Sequence, residues 1–248
     1  MSHFAVLVIG RDAEKQLAPY DENLELPMHV YKTKERMIEY EKNWREEYKE
    51  SVYKMYLKDK DAYKASHDNP KHIEYLEKGF PKILEMTDEE LYQKYIEEYK
   101  SYIEEDKQEG NPARYAIDSK GNLMSIFNER AKWDYYCLGG RYAGRLILKE
   151  GCRAVDDIAK GYEGEKELLD QFLKERRCNK AFKKDIENYD TLSCFAVVKN
   201  YEWFERGQMG WWACVSNDKE EQEWRDEIKK LLADVPDDEL ISFYDCHI

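Results

Sequence analysis

Two segments of this chain carry the residue types that handle charged ligands. The first runs Ala131-Lys132-Trp133-Asp134-Tyr135-Tyr136-Cys137-Leu138-Gly139-Gly140-Arg141-Tyr142. Adjacent glycines permit a tight turn with exposed backbone, and successive amides in such a turn can cradle an anion. Arg141 adds a planar fork that suits phosphate or carboxylate. The rings of Trp133, Tyr135, Tyr136 and Tyr142 offer surfaces on which a base can stack. The plainer alternative is a turn in which Arg141 pairs with Asp134 and the rings simply pack. The segment is neither a G-x-G-x-x-G fingerprint nor a Walker loop.

The second segment is Asp245-Cys246-His247-Ile248, read together with His3. If the first and last strands are neighbours, His3 and His247 come close. Two imidazoles and Asp245 would make a plausible zinc set, or the imidazoles would act as an acid–base pair. A histidine that only hydrogen-bonds at a strand end is the simpler reading, so no metal is assigned. Asp245 pairing with Arg141 or Lys132 is an equally good structural role. A third stretch, from Trp203 to Trp212, sets Gly207 and Gly210 around Gln208-Met209 and includes Trp211. It would wall a pocket for a flat ligand or pack a hairpin. Signatures such as G-x-S-x-G and H-E-x-x-H are absent, and no cofactor is indicated.

These segments need elements to hold them. Phe4–Ile9 is a short apolar run ending at Gly10 and reads as a central strand. Ser193–Lys199, Met209–Val215 and Leu240–Cys246 read as strands near the end, with a helix carrying Trp224, Ile228, Leu231 and Leu232 before the last of them. Leu168, Leu169, Phe172 and Leu173 predict a short helix over 165–177 with that side facing inward, and Lys180–Asn188 would continue it. Between 31 and 109 the character is helical. Met37, Tyr40, Trp44, Tyr48, Val52 and Met55 make one amphipathic stripe. Thr87-Asp88-Glu89-Glu90 forms a capping box for a second helix, which Gly110-Asn111-Pro112 ends. Ala113–Asp118 and Asn122–Phe127 read as a hairpin around Ser119-Lys120-Gly121. The expectation is an α+β fold with a mixed or antiparallel sheet, helices on one face, a core domain formed by 1–30 and 110–248, and a helical insertion at 31–109.

Composition limits the function. The 248 residues are 42% hydrophobic and 38% charged, with 20 tyrosines and a net charge of -13. So acidic a surface repels phosphate backbones and anionic membranes, which argues against a nucleic-acid polymer as partner. No apolar run is long enough to span a bilayer. No secretion signal is evident, so the six cysteines are expected to be reduced and the chain cytoplasmic.

The start Met1-Ser2-His3-Phe4-Ala5-Val6-Leu7-Val8-Ile9-Gly10 with Gln16-Leu17-Ala18-Pro19-Tyr20, the Lys132-Trp133-Asp134 and Gly139-Gly140-Arg141 motifs, Gly207-Gln208-Met209-Gly210-Trp211, and the terminal Asp245-Cys246-His247-Ile248 together resemble a family of uncharacterised proteins of bacteriophages and bacteria. Where that family usually has Trp after Gly-Gly-Arg, this chain has Tyr142. The resemblance covers both ends and the middle, not the insertion. It transfers no activity. Its phage setting suggests an accessory protein that counters host defence in the host cytoplasm. By analogy, such a protein would sequester a nucleotide immune signal such as a cyclic nucleotide or an ADP-ribose derivative. The ligand contacts expected on this reading are Lys132, Trp133, Asp134, Gly139, Gly140, Arg141, Tyr142, Trp211, His3 and His247. Two alternatives stand beside it: an enzyme that modifies such a nucleotide with a His/Asp site, and a protein–protein inhibitor that acts through the acidic, Tyr-rich helices. Homo-oligomerisation is left open.

Overall fold

The computed structural model describes residues 2–160, 162, 164–209 and 215–248. The chain forms two compact units, one of residues 1–24 and 128–248 and the other of residues 25–127. In chain order the elements are β1 (His3–Ile9), α1 (Ala13–Leu17), β2 (His29–Lys32), α2 (Lys34–Tyr48), α3 (Lys54–Lys58), α4 (Lys60–Ser66), α5 (Pro70–Glu74), α6 (Phe80–Glu85) and α7 (Asp88–Glu109). They continue with β3 (Tyr115–Ile117), β4 (Leu123–Ser125), β5 (Tyr135–Leu138), β6 (Leu146–Ile147), α8 (Lys166–Lys174), β7 (Arg177–Cys178), β8 (Lys180–Phe182), β9 (Ala196–Lys199) and β10 (Glu202–Glu205). The last are β11 (Gln208–Met209), β12 (Val215–Ser216), α9 (Glu221–Ala233) and β13 (Leu240–His247). No described helix is long and apolar enough to cross a membrane.

The first unit is built on a sheet ordered β10-β9-β1-β13-β5, with β8 also paired to β13. Only β1 and β9 run parallel among these pairs, so the sheet is mixed and the fold is α+β. The unbroken apolar run of β1 follows from burial of both sheet faces. Ala5, Leu7 and Ile9 join Ile241 and Phe243 in one core, while Phe4, Val6 and Val8 join Tyr244 and Cys246 in the other. Helix α9 covers the first face with Trp224, Ile228 and Leu232, and Trp224 Nε1 donates to Cys194 O at 2.7 Å. The second face is covered by the short α1 through Ala13 and Leu17, with Tyr20 and Trp133 beside it. The first and last strands are neighbours, as the sequence predicts.

Two local expectations differ. Residues 202–205, which lie between the strands expected at Ser193–Lys199 and Met209–Val215, form the edge strand β10. A two-residue turn joins it to β9, with Asn200 and Tyr201 at φ 54° and 65°. Positive φ at both positions matches the hairpin twist, but tyrosine there gives no turn signal in sequence. Residues 180–182 form β8 rather than a continued helix, because pairing with Leu240–Ser242 outweighs the local helix preference of Lys and Ala.

The second unit carries α2–α7 and a small sheet ordered β2-β4-β3. It is therefore larger than the expected insertion at 31–109. The hairpin of β3 and β4 pairs with β2, whose four residues are too short and too polar to announce a strand. The capping box at Thr87 and Glu90 is present, and Gly110 ends α7 in the left-handed conformation. The tyrosines largely pack on one another: Tyr95 stacks with Tyr99, and Tyr115 lies edge-on to Tyr99. Burial pushes the Tyr115 hydroxyl up to about 12.

Asp106 ties the end of α7 to the hairpin. Its carboxylate is buried and accepts from the Arg114 backbone N–H at 2.9 Å and from Arg114 Nε at 2.8 Å. The Arg114 guanidinium, then its amide, hold this carboxyl below its usual range. The stability it contributes is full above the unfolded carboxylate range and is lost as pH falls through the lowered folded value. Thermal melts followed by tyrosine near-UV circular dichroism between neutral pH and pH ~3 should show acid destabilisation that Asp106→Asn weakens.

Candidate ligand-binding site

Register places the chemistry. Strand β13 lies between β1 and β5, so His3, His247 and Tyr135 form one cross-strand row, and Ala5, Asp245 and Cys137 form the next. The two-residue strand period puts His3, Asp245 and His247 on the same side as Ile241 and Phe243. Asp245 Oδ1 lies 2.9 Å from His3 Nδ1, and Asp134 Oδ1 lies 2.5 Å from His247 Nδ1. The two imidazoles meet edge-on at 5.1 Å. The chain thus holds two aspartate–histidine pairs side by side. Asp134 is oriented by its own backbone N–H, which donates to His247 O at 3.0 Å. It does not pair with Arg141. His247 Nε2 is buried and has no hydrogen-bond partner among the described residues. Among the described residues no group of three His, Cys, Asp or Glu side chains is arranged to hold a metal.

The glycine turn does something other than cradle an anion. Gly139 N donates to Phe243 O, Tyr142 N to Gly139 O, and Ala143 N to Gly140 O. Arg141 N donates to Asp245 Oδ2 at 2.9 Å. These amides are spent inside the protein, and the turn fixes Asp245, which in turn orients His3. Gly140, at φ +50°, has no room for a side chain: a Cβ would stand 2.5 Å from Asp245 and 2.7 Å from Cys137 Sγ. Tyr142 is a strut rather than a stacking surface. Its hydroxyl donates to His3 O at 2.9 Å, and burial pushes that hydroxyl up.

Beside this arrangement opens a cleft of about 680 Å³. His3, Asp245, Gly140, Arg141 and Lys160 line its polar side. Ile158, Leu168 and Phe172 line the apolar side, with the rings of Tyr135 and Tyr162. Helix α8 does not bury the side expected to face inward. Leu168 is 41% exposed and Leu173 53%, and no residue of the helix is fully buried. Its apolar stripe instead contributes Leu168 and Phe172 to the cleft wall. Neither Arg141 nor Lys160 forms an ion pair with a described carboxylate.

The other expected contacts lie elsewhere. Lys132 borders a separate cleft of about 480 Å³ with Tyr20, Arg130 and Trp203. Its ammonium is paired to Glu205 at 2.8 Å, and Glu205 also accepts from Trp203 Nε1 at 2.8 Å. Arg130 there stacks over the Tyr20 ring and donates to its hydroxyl. The cations of that cleft are already engaged. Trp133 is buried on the opposite sheet face, edge-on to Tyr136, and is closed to any ligand. Trp211 lies outside the described residues. Sequence reasoning missed Lys160 and Tyr162. It saw Leu168 and Phe172 but read their helical spacing as core. No family model, curated protein or solved structure matches the chain.

Proposed function

We propose that the chain binds a small anionic ligand carrying a flat ring, of the nucleotide class, in the cleft beside His3. The observation that supports this most is the pairing of two cations that meet no carboxylate among the described residues, Arg141 and Lys160, with a wall of Leu168, Phe172, Tyr135 and Tyr162. Cations left without carboxylate partners attract phosphate, Arg bidentately, and apolar and aromatic side chains take a ring. The volume falls in the range of small-molecule sites, about 300–1,000 Å³. The net charge of -13 favours one small anion over a nucleic-acid polymer. Sequestration of such a ligand in a host cytoplasm, against host defence, is the role the phage resemblance suggests.

The test is native mass spectrometry of the freshly purified protein, before and after denaturation, with a thermal-shift panel of mono-, di- and cyclic nucleotides. A retained nucleotide or a selective rise in melting temperature is the expected result. A flat panel and an empty protein would overturn the proposal.

A further inference from the structure

Resting on the reading of the cleft as an anion site, the geometry points to His3 as a general base that hydrolyses a phosphoanhydride bound there. Asp245 is only 4% exposed and holds His3 Nδ1 at 2.9 Å, so the ring proton sits on Nδ1 and a lone pair is left on Nε2. Asp245 is itself fixed by the Arg141 N–H and by a turn too tight for any side chain at Gly140. A histidine oriented this firmly, on the wall of a cleft shared with two cations, is a base placed next to a phosphoryl group.

The bond class follows from the leaving group. A phosphodiester expels an alkoxide, which needs a proton from a second acid as it departs. His247 cannot supply it, since its Nδ1 is held by Asp134 and its Nε2 is buried. A phosphoanhydride expels a phosphate anion, which needs no proton. In the step, His3 Nε2 takes a proton from water as the water oxygen bonds to phosphorus. The bridging P–O bond breaks, its electron pair leaves with the second phosphate, and the proton on His3 passes to solvent. Arg141 and Lys160 neutralise the phosphoryl oxygens. Cys137 also lines the cleft, but β13 separates its strand from that of His3. Two strand spacings put their backbones roughly 10 Å apart, so the cysteine is not placed as a nucleophile activated by His3.

The experiment uses the full chain with ADP-ribose and cyclic diadenylate as probes in magnesium-containing buffer. Calorimetry reads binding and phosphorus NMR reads products. ADP-ribose should be converted to AMP and ribose 5-phosphate, with one ascending limb in the pH–rate profile, and cyclic diadenylate should be recovered intact. His3→Gln should keep ADP-ribose binding and lose turnover by about 100-fold or more. ADP-ribose bound but recovered unchanged would overturn this inference and leave the binding site standing. Full turnover by His3→Gln would remove the histidine from the reaction, and cleavage of cyclic diadenylate would overturn the restriction to phosphoanhydrides. Binding of neither probe would overturn the inference, and a flat nucleotide panel beside it would overturn the cleft reading on which it rests.

Discussion

Asp245→Ala is expected to lower the stability of the unit formed by residues 1–24 and 128–248 and to free His3 from its fixed orientation. The carboxylate is buried and takes two donors, the Arg141 amide and His3 Nδ1. A fully buried donor left without an acceptor costs about 1–3 kcal/mol; these two are partly buried, so each falls toward the low end, and alanine supplies no replacement. Asp245→Asn should cost less, because the amide oxygen still accepts one bond. Urea denaturation of the three proteins measures the ordering. A loss below about 1 kcal/mol in Asp245→Ala would show that the carboxylate is not the post on which the turn and the histidine hang.

Phe243→Ala should be the most damaging single truncation in the sheet. Phe243 is fully buried, two residues before Asp245 on the same face, in a strand that pairs with β1, β5 and β8. Its amide donates to Asn179 O and its carbonyl accepts from Gly139 N, so the glycine turn is anchored to the residue itself. Truncating a buried phenylalanine costs about 3–5 kcal/mol through lost transfer and an unfilled cavity. Chemical denaturation with tryptophan fluorescence gives the value. A cost under about 1 kcal/mol would mean that the core recloses, contrary to the packing described.

The fold was legible where burial writes itself into sequence. Phe4–Ile9 and Leu240–Cys246 are apolar because both sheet faces are covered, and their adjacency brings His3 to His247. Thr87 with Glu90 announced the start of α7, and Gly110 its end. Short elements were not legible: β2, β8 and β10 hold three or four residues each, and tertiary pairing rather than local preference decides them. At the site, Arg141 was visible by type, but the use of the turn's amides was not. Consecutive glycines look the same whether they make room for a ligand or for Asp245. Trp133 and Lys132 sit next to the right residues in sequence, yet strand alternation and the Glu205 pair send them to other surfaces. Lys160 and α8 were invisible as site elements because an amphipathic stripe does not say whether it meets a core or a cleft.

Titration calorimetry of the wild type and of Arg141→Ala with the best nucleotide from the thermal-shift panel tests the central claim most directly. The guanidinium side chain lies in the cleft, away from the core, so its removal should leave the melting temperature unchanged. Losing one charge-assisted contact of about 1.5–3 kcal/mol should weaken Kd by roughly 10–100-fold. Equal affinity in the two proteins would place the ligand elsewhere and contradict the assignment of this cleft.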